Sequence, residues 1–213
     1  MEEQQIPDTV PAGHPGFNAV LRQRCGKSIL DSGCGAGRWV EWALKHHRGY
    51  YGIDIDATRV KKCSADFPTM RFRVGDSRKI PFKPDSFDTV LLVEVIEHLM
   101  NEKDVYKALH EACRVARKCV AVTTPDCTDA EELRKKSNGI TFMHLIENGK
   151  GRKFASREDR AHAHWTFHTL RSLSDILKEL GHPFEIYRTG RVECVNFPCY
   201  RKLEVFIDPS KRM

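Results

Sequence analysis

The chain has eight cysteines in 213 residues but no C-x-x-C pair. That spacing disfavours a zinc finger or a dithiol redox motif. Such a long chain is also not a disulfide-stapled miniprotein. The cysteines read as reduced thiols, and the same criterion disfavours zinc at Cys194 and Cys199. No apolar run approaches the roughly 20 residues of a membrane span. The first residues, MEEQQIPDTVPAGHPG, are polar and lack a hydrophobic signal core. The expectation is therefore a cytoplasmic protein with no membrane partner. Neither repeats nor low-complexity tracts occur. Hydrophobic residues make up 40% and charged residues 30%, the balance of a globular chain rather than a disordered one.

The net charge is +6, and most of the excess sits in one segment. Between Leu133 and Arg160, eight Lys or Arg face three acids. Such a segment is either a solvated basic loop or an attractor for an anionic partner.

From Lys27 onward, apolar strand-like runs alternate with helical patterns. KSILD, GYYGIDID, MRFRVGD, DSFDTVLLVEV and KCVAVTTPD read as five strands. The helical stretches between them include RWVEWALKHH, ATRVKKCSADF and NEKDVYKALHEACRVA. Strand and helix alternating at this spacing predict an α/β fold with a parallel sheet and crossover helices. The rhythm breaks after Pro125. The next convincing helix is TLRSLSDILKELG, followed by two closing strands, PFEIYRT and YRKLEVFID. Residues 1–26 read as a leader containing a short candidate lid helix. Residues 27–213 read as one domain with a lid insertion at about 125–165.

Acids stand at four strand ends: Asp31, Asp54, Asp76 and Glu94. In an open α/β sheet, ligands bind outside the carboxyl ends of the strands, so these acids would line one rim. Between the first two lies the turn SGCGAG. Glycine lets backbone approach a ligand without a Cβ in the way. Gly33, Gly35 and Gly37 run G-x-G-x-G, which is neither a P-loop nor a dinucleotide fingerprint, and the turn has no lysine. The ligand thus lacks a pyrophosphate. Asp54 follows Gly33 by 21 residues, where such folds place the acid that grips ribose hydroxyls. An adenosine carrying a cationic sulfonium, S-adenosylmethionine, meets these conditions.

With ILDSGCGAG, GIDID, GDSRKIPFKPDSFDTV and LLVEVIEHL in this order, the sequence resembles the class I S-adenosylmethionine-dependent methyltransferases from about Lys27 to Asp126. The resemblance implies a Rossmann-like, doubly wound, seven-stranded sheet, mostly parallel with an antiparallel last strand. It also implies roles. Asp31, Gly33 and Gly35 would hold the methionine end of the cofactor, and Asp54 the ribose. Ile55 would flank the adenine, and Asp76 and Ser77 would face its edge. Val93 and Glu94 would lie beside the methionine and the reacting methyl. The product would be S-adenosylhomocysteine.

EVIEHL adds Glu97 and His98 just beyond the fourth strand, and these are the candidate catalytic residues. The plain reading makes them pocket residues of an enzyme acting on a small molecule, with no metal. Two carboxylates and an imidazole on adjoining turns could also hold a divalent cation. Small-RNA 2′-O-methyltransferases look like this, and RAHAHWTFH offers His162, His164 and His168 near the basic segment. That histidine run departs from their pattern. RNA is therefore the alternative partner, a protein substrate another, and a non-catalytic cofactor-binding scaffold or a nicotinamide oxidoreductase more remote ones. A hydroxyl acceptor would need a base or a metal.

Overall fold

The computed structural model describes residues 16–127, 166, 168–189, 192–194, 197–200 and 202–213. The described residues begin with α1 (Phe17–Arg24), β1 (Ser28–Ser32), α2 (Val40–Lys45), β2 (Gly49–Asp54), α3 (Ala57–Asp66) and β3 (Arg71–Val74). It continues with β4 (Phe87–Val93), a 3-10 turn at Ile96–His98, α4 (Glu102–Val115) and β5 (Ala116–Pro125). After the segment 128–165 come α5 (Leu170–Leu180), β6 (Phe184–Arg188), β7 (Val192–Cys194), β8 (Phe197–Tyr200) and β9 (Lys202–Ile207).

Seven strands form one sheet in the order β3-β2-β1-β4-β5-β9-β6, and β7 pairs with β8 apart from it. Strands β1 to β5 are parallel. β9 runs antiparallel to both β5 and β6. This is the expected doubly wound sheet, with the last strand of the chain reversed. The expected strand YRKLEVFID divides: Tyr200 belongs to β8, and the sheet strand starts at Lys202, opposite Pro125.

Parallel strands covered on both faces need apolar residues in unbroken runs rather than in alternation. Along β1, Ile29 faces one core and Leu30 the other; along β4, Leu91 faces the first, Val90 and Leu92 the second. The larger core gathers α4 and α5, including Leu109, Leu173 and Leu177. The smaller core gathers α1 and α2 against Ile29, Leu91, Ala121 and Phe206. Burying each such Leu or Ile contributes about 1.5–3 kcal/mol. Leu21 of α1 is fully buried there, so α1 is built into the wall of the sheet.

Caps set the helix ends. The Asp56 carboxylate accepts from the Thr58 and Arg59 amides at the start of α3, and Asn101 accepts from the Asp104 amide at the start of α4. Thr169 and Ser172 form a capping box on α5, which stops at Gly181 with φ 70°. Cys25, Cys34, Cys63, Cys113, Cys119 and Cys127 are all free and buried. Burial pushes the Cys113, Cys119 and Cys127 thiols up to about 12, which keeps them unreactive.

The expected lid insertion, including His162, His164 and Trp165, lies outside the described residues from 128 onward. Its two flanks meet: the Cys127 amide donates to the His168 carbonyl (2.9 Å), and Asp126 bridges His168 in parallel. Among the described residues, no helix is long and apolar enough to cross a membrane.

Candidate active site

The turn after β1 is folded by its glycines. Gly33 has φ 91°, and a Cβ there would lie 2.5 Å from Val95 Cγ2. Gly37 has φ 78°, and its Cβ would meet the Phe67 ring at 2.9 Å. Only glycine fits both the backbone and the space. The Gly33 and Cys34 amides donate to the Ile53 carbonyl, which draws the turn against the end of β2. Asp54 completes the join: Oδ2 accepts from the Gly35 amide (2.8 Å) and Oδ1 from the Asp56 amide (2.9 Å). Each carboxylate oxygen keeps capacity for one more donor.

A cavity of about 290 Å³ opens at this rim. Gly33, Asp54, Ile55, Asp76, Ser77 and Glu94 line it, as does His98. The structure therefore brings six of the nine expected cofactor residues to one cavity, with one of the two expected catalytic residues. Ile55 is 67% exposed, an uncovered apolar surface beside the Asp54 carboxylate. Ser77 is buried and accepts the Ser32 hydroxyl at 2.8 Å. Asp76 is held by the Arg78 guanidinium (Nη2 to Oδ2, 2.7 Å), which keeps its carboxyl below the usual range. Arg78 also donates to Asp104, tying the rim to α4.

Asp31, Gly35, Val93 and Glu97 do not line this cavity. Asp31 shares the face of Ile29, beside Tyr50 of the smaller core, and is 1% exposed. There it accepts the Tyr50 hydroxyl at 2.6 Å. Burial, with a smaller push from Asp54, raises its carboxyl to about 7 despite that hydrogen bond. Glu97 is 2% exposed and accepts the Thr124 hydroxyl at 3.2 Å. Burial first, and the nearby Glu94 second, raise it well above the ordinary range.

Glu94 stands where β4 ends, in the left-handed region at φ 56°. Its amide donates to the Thr123 carbonyl (3.0 Å), and its Oε1 accepts the Thr123 hydroxyl (2.7 Å). Its Oε2 lies 3.1 Å from Lys202 Nζ. A residue that is neither Gly, Asn nor Asp costs about 1–3 kcal/mol in that conformation, and such strain concentrates at functional sites. Sequence reasoning missed Lys202, which sits far along the chain in no motif. It also missed Arg59, Leu99 and Met100 on the cavity wall. The only local signal for these was proximity to GIDID and EVIEHL.

Among the described residues, no three His, Cys, Asp or Glu side chains converge as a metal-binding group. His168 is buried, its Nε2 is 3.1 Å from Thr166 Oγ1, and burial lowers it to about 4. It is a packed, neutral histidine.

Residues 30–121 match the model of a family described as a methyltransferase domain. A probable S-adenosylmethionine-dependent methyltransferase of Mycolicibacterium smegmatis is 32% identical over 83 residues, 38% of this chain and 32% of that protein. A norajmaline N-methyltransferase of Rauvolfia serpentina is 34% identical over 97 residues, 42% of this chain and 32% of that protein. The chain thus spans about a third of the length of these curated relatives. The crystal structure of an S-adenosylmethionine-dependent methyltransferase from Methanosarcina mazei superposes with a TM-score of 0.66 at 18% identity. That superposition covers 91% of this chain and 97% of the other. The matched stretch runs from Leu30 in β1 to Ala121 in β5, so the glycine turn and the first five strands of the sheet are similar to a methyltransferase domain, and the fold around them is that of the methyltransferase structure it superposes on.

Proposed function

We propose that this protein transfers a methyl group from S-adenosylmethionine to a small-molecule acceptor in the cytoplasm. One observation carries the reading: a single cavity joins the glycine turn, the ribose-type acid Asp54, the exposed Ile55 and Ser77 to Glu94 and His98. The residues fit the cofactor. Gly33 leaves backbone bare where a Cβ would collide, Asp54 offers spare acceptor capacity, and Ile55 offers a flat apolar wall. Bound there, the cofactor would supply an activated methyl on a sulfonium. The protein's part is to orient. Asp54 would hold hydroxyls, Ile55 would cover a ring face, and Glu94 and His98 would border the acceptor. Holding an acceptor about 3–3.5 Å from the methyl carbon can supply roughly 7–11 kcal/mol of the barrier. The norajmaline N-methyltransferase among the relatives supports a small-molecule acceptor, and six buried free thiols suit a reducing compartment.

The test is calorimetric titration with S-adenosylhomocysteine. A hydrogen bond to an ionised carboxylate is worth about 1.5–3 kcal/mol, so Asp54→Ala should weaken binding at least tenfold. Equal affinity in wild type and variant would refute the ribose role. Methyl-labelled cofactor incubated with fractionated extract then identifies the acceptor. Label in small solutes, indifferent to EDTA, supports this proposal. Label in nuclease-sensitive material that vanishes with EDTA supports metal-dependent RNA methylation instead, the reading suggested by E-x-x-E-H and the basic segment.

A further inference from the structure

Resting on that reading, we infer that Lys202 sets the charge that the cavity presents to the cofactor's sulfur, by holding Glu94 in an ion pair at the cavity wall. The pair is built from three directions. Glu94 is fixed at the end of β4 by its left-handed backbone and by two hydrogen bonds to Thr123. Lys202 is fixed at the start of β9, opposite Pro125. Its backbone is clamped to Thr189 from both sides: its carbonyl accepts the Thr189 amide (2.8 Å), and its amide donates to Thr189 Oγ1 (2.8 Å). The side chains are only 26% and 22% exposed, so water screens them weakly.

The other acids on the wall are already engaged. Asp76 is neutralised by Arg78, Asp54 accepts two amides, and Asp56 caps α3. Glu97, behind Glu94, is driven towards its neutral form by burial. The Glu94–Lys202 pair therefore brings one carboxylate and one ammonium to this end of the cavity. S-adenosylmethionine and S-adenosylhomocysteine differ there by one positive charge, on sulfur. A bare Glu94 would favour the sulfonium strongly. Paired with Lys202, it favours the sulfonium only slightly, and it lets the neutral product compete. Lys202 is thus a specificity-determining residue that acts through Glu94.

The experiment titrates the full chain calorimetrically with each of the two ligands, in wild type, Lys202→Met, Glu94→Gln and the double variant. At an effective dielectric of about 20, a unit charge at the cavity wall moves the affinity ratio by at least about tenfold. Lys202→Met should shift the ratio towards S-adenosylmethionine by that factor, and Glu94→Gln should shift it away. In the Glu94→Gln background, Lys202→Met should return the ratio towards the wild-type value, because the two charges cancel. Lys202→Arg should keep the wild-type ratio. Equal changes in both affinities, or a drop in melting temperature with the ratio unmoved, would reduce the pair to a structural ion pair and overturn the inference. Should Lys202→Met fail to fold, Glu94→Gln reads the same charge from the other side. Wild-type protein that binds neither ligand would instead sink the proposed function itself.

Discussion

The two ends of the cavity are constructed differently. At the tips of β1, β2 and β3, the Gly35 amide meets Asp54 across 19 residues, and the Ser32 hydroxyl meets Ser77 across 45. At the tips of β4, β5 and β9, Glu94 meets Thr123 across 29 residues and Lys202 across more than a hundred. The first end is held mostly by backbone amides and glycine conformations, the second by side chains from strands that adjoin only once the sheet closes. A backbone-built site keeps its geometry under most side-chain substitutions. A site built from side chains changes its chemistry with each one. The near end therefore suits a cofactor common to a family, and the far end suits an acceptor that differs between members.

The largest effect should come from the near end. Gly33→Ala places a Cβ at φ 91° and 2.5 Å from Val95 Cγ2. Val95 is β-branched and stiff at χ1, so it cannot swing aside cheaply. The substitution should cost on the order of 2–4 kcal/mol in denaturant unfolding, from backbone strain and overpacking together. S-adenosylhomocysteine binding should fall below detection in the same calorimetric assay. Retained affinity would show that the turn can move without loss, contrary to a backbone-built end.

That contrast also explains what the sequence revealed. The first five strands and their helices were legible because each apolar run is continuous and each is closed by a cap or a turn residue. The turn's glycines were legible because three alternate glycines directly after an apolar strand leave backbone bare, and because GIDID, GDSRKIPFKPDSFDTV and LLVEVIEHL follow them in order. The orientation of Asp31 was less so. A residue at the end of a strand can face the rim or the core, and the register opposite Gly52 and Leu91 turns this one inward to Tyr50. Lys202 was illegible for a different reason. It reaches the site through the antiparallel pairing of β9 with β5, and no spacing encodes that. The division of YRKLEVFID between β8 and β9 has the same origin.

Asp31 offers a sharper, middle-sized test. Its folded carboxyl is raised from 3.8 to about 7 by burial. A raised acid stabilises the fold fully below its unfolded value, and that contribution is lost as pH rises through the folded one. The window is therefore pH 4 to 7. Asp31→Asn keeps an acceptor for the Tyr50 hydroxyl and removes the buried charge. It should match wild type near pH 4 and be more stable at pH 8 by about 2 kcal/mol, after allowance for relaxation around the charge. Cofactor affinity should change less than threefold if Asp31 acts from beneath the turn. A tenfold loss would restore it to direct contact with the cofactor's methionine end, as the family resemblance implies.

The smallest effect is expected at Glu97, and its smallness is the point. Burial and the neighbouring Glu94 drive this carboxyl towards its protonated form, with the Thr124 hydroxyl as its partner. A protonated carboxyl and an amide share shape and acceptor capacity. Glu97→Gln should therefore change stability at pH 7 by less than about 0.5 kcal/mol, the range of a neutral substitution. A gain above about 1 kcal/mol would instead mean that the fold buries an ionised Glu97, with its full desolvation cost. The same variant bears on metal chemistry. A cation bound by Glu94, Glu97 and His98 would need Glu97 ionised, and losing that ligand would abolish any EDTA-sensitive labelling. Labelling unchanged by both EDTA and the substitution would exclude such a cation and leave Glu94, paired with Lys202, and His98 as the members of this trio that line the cavity.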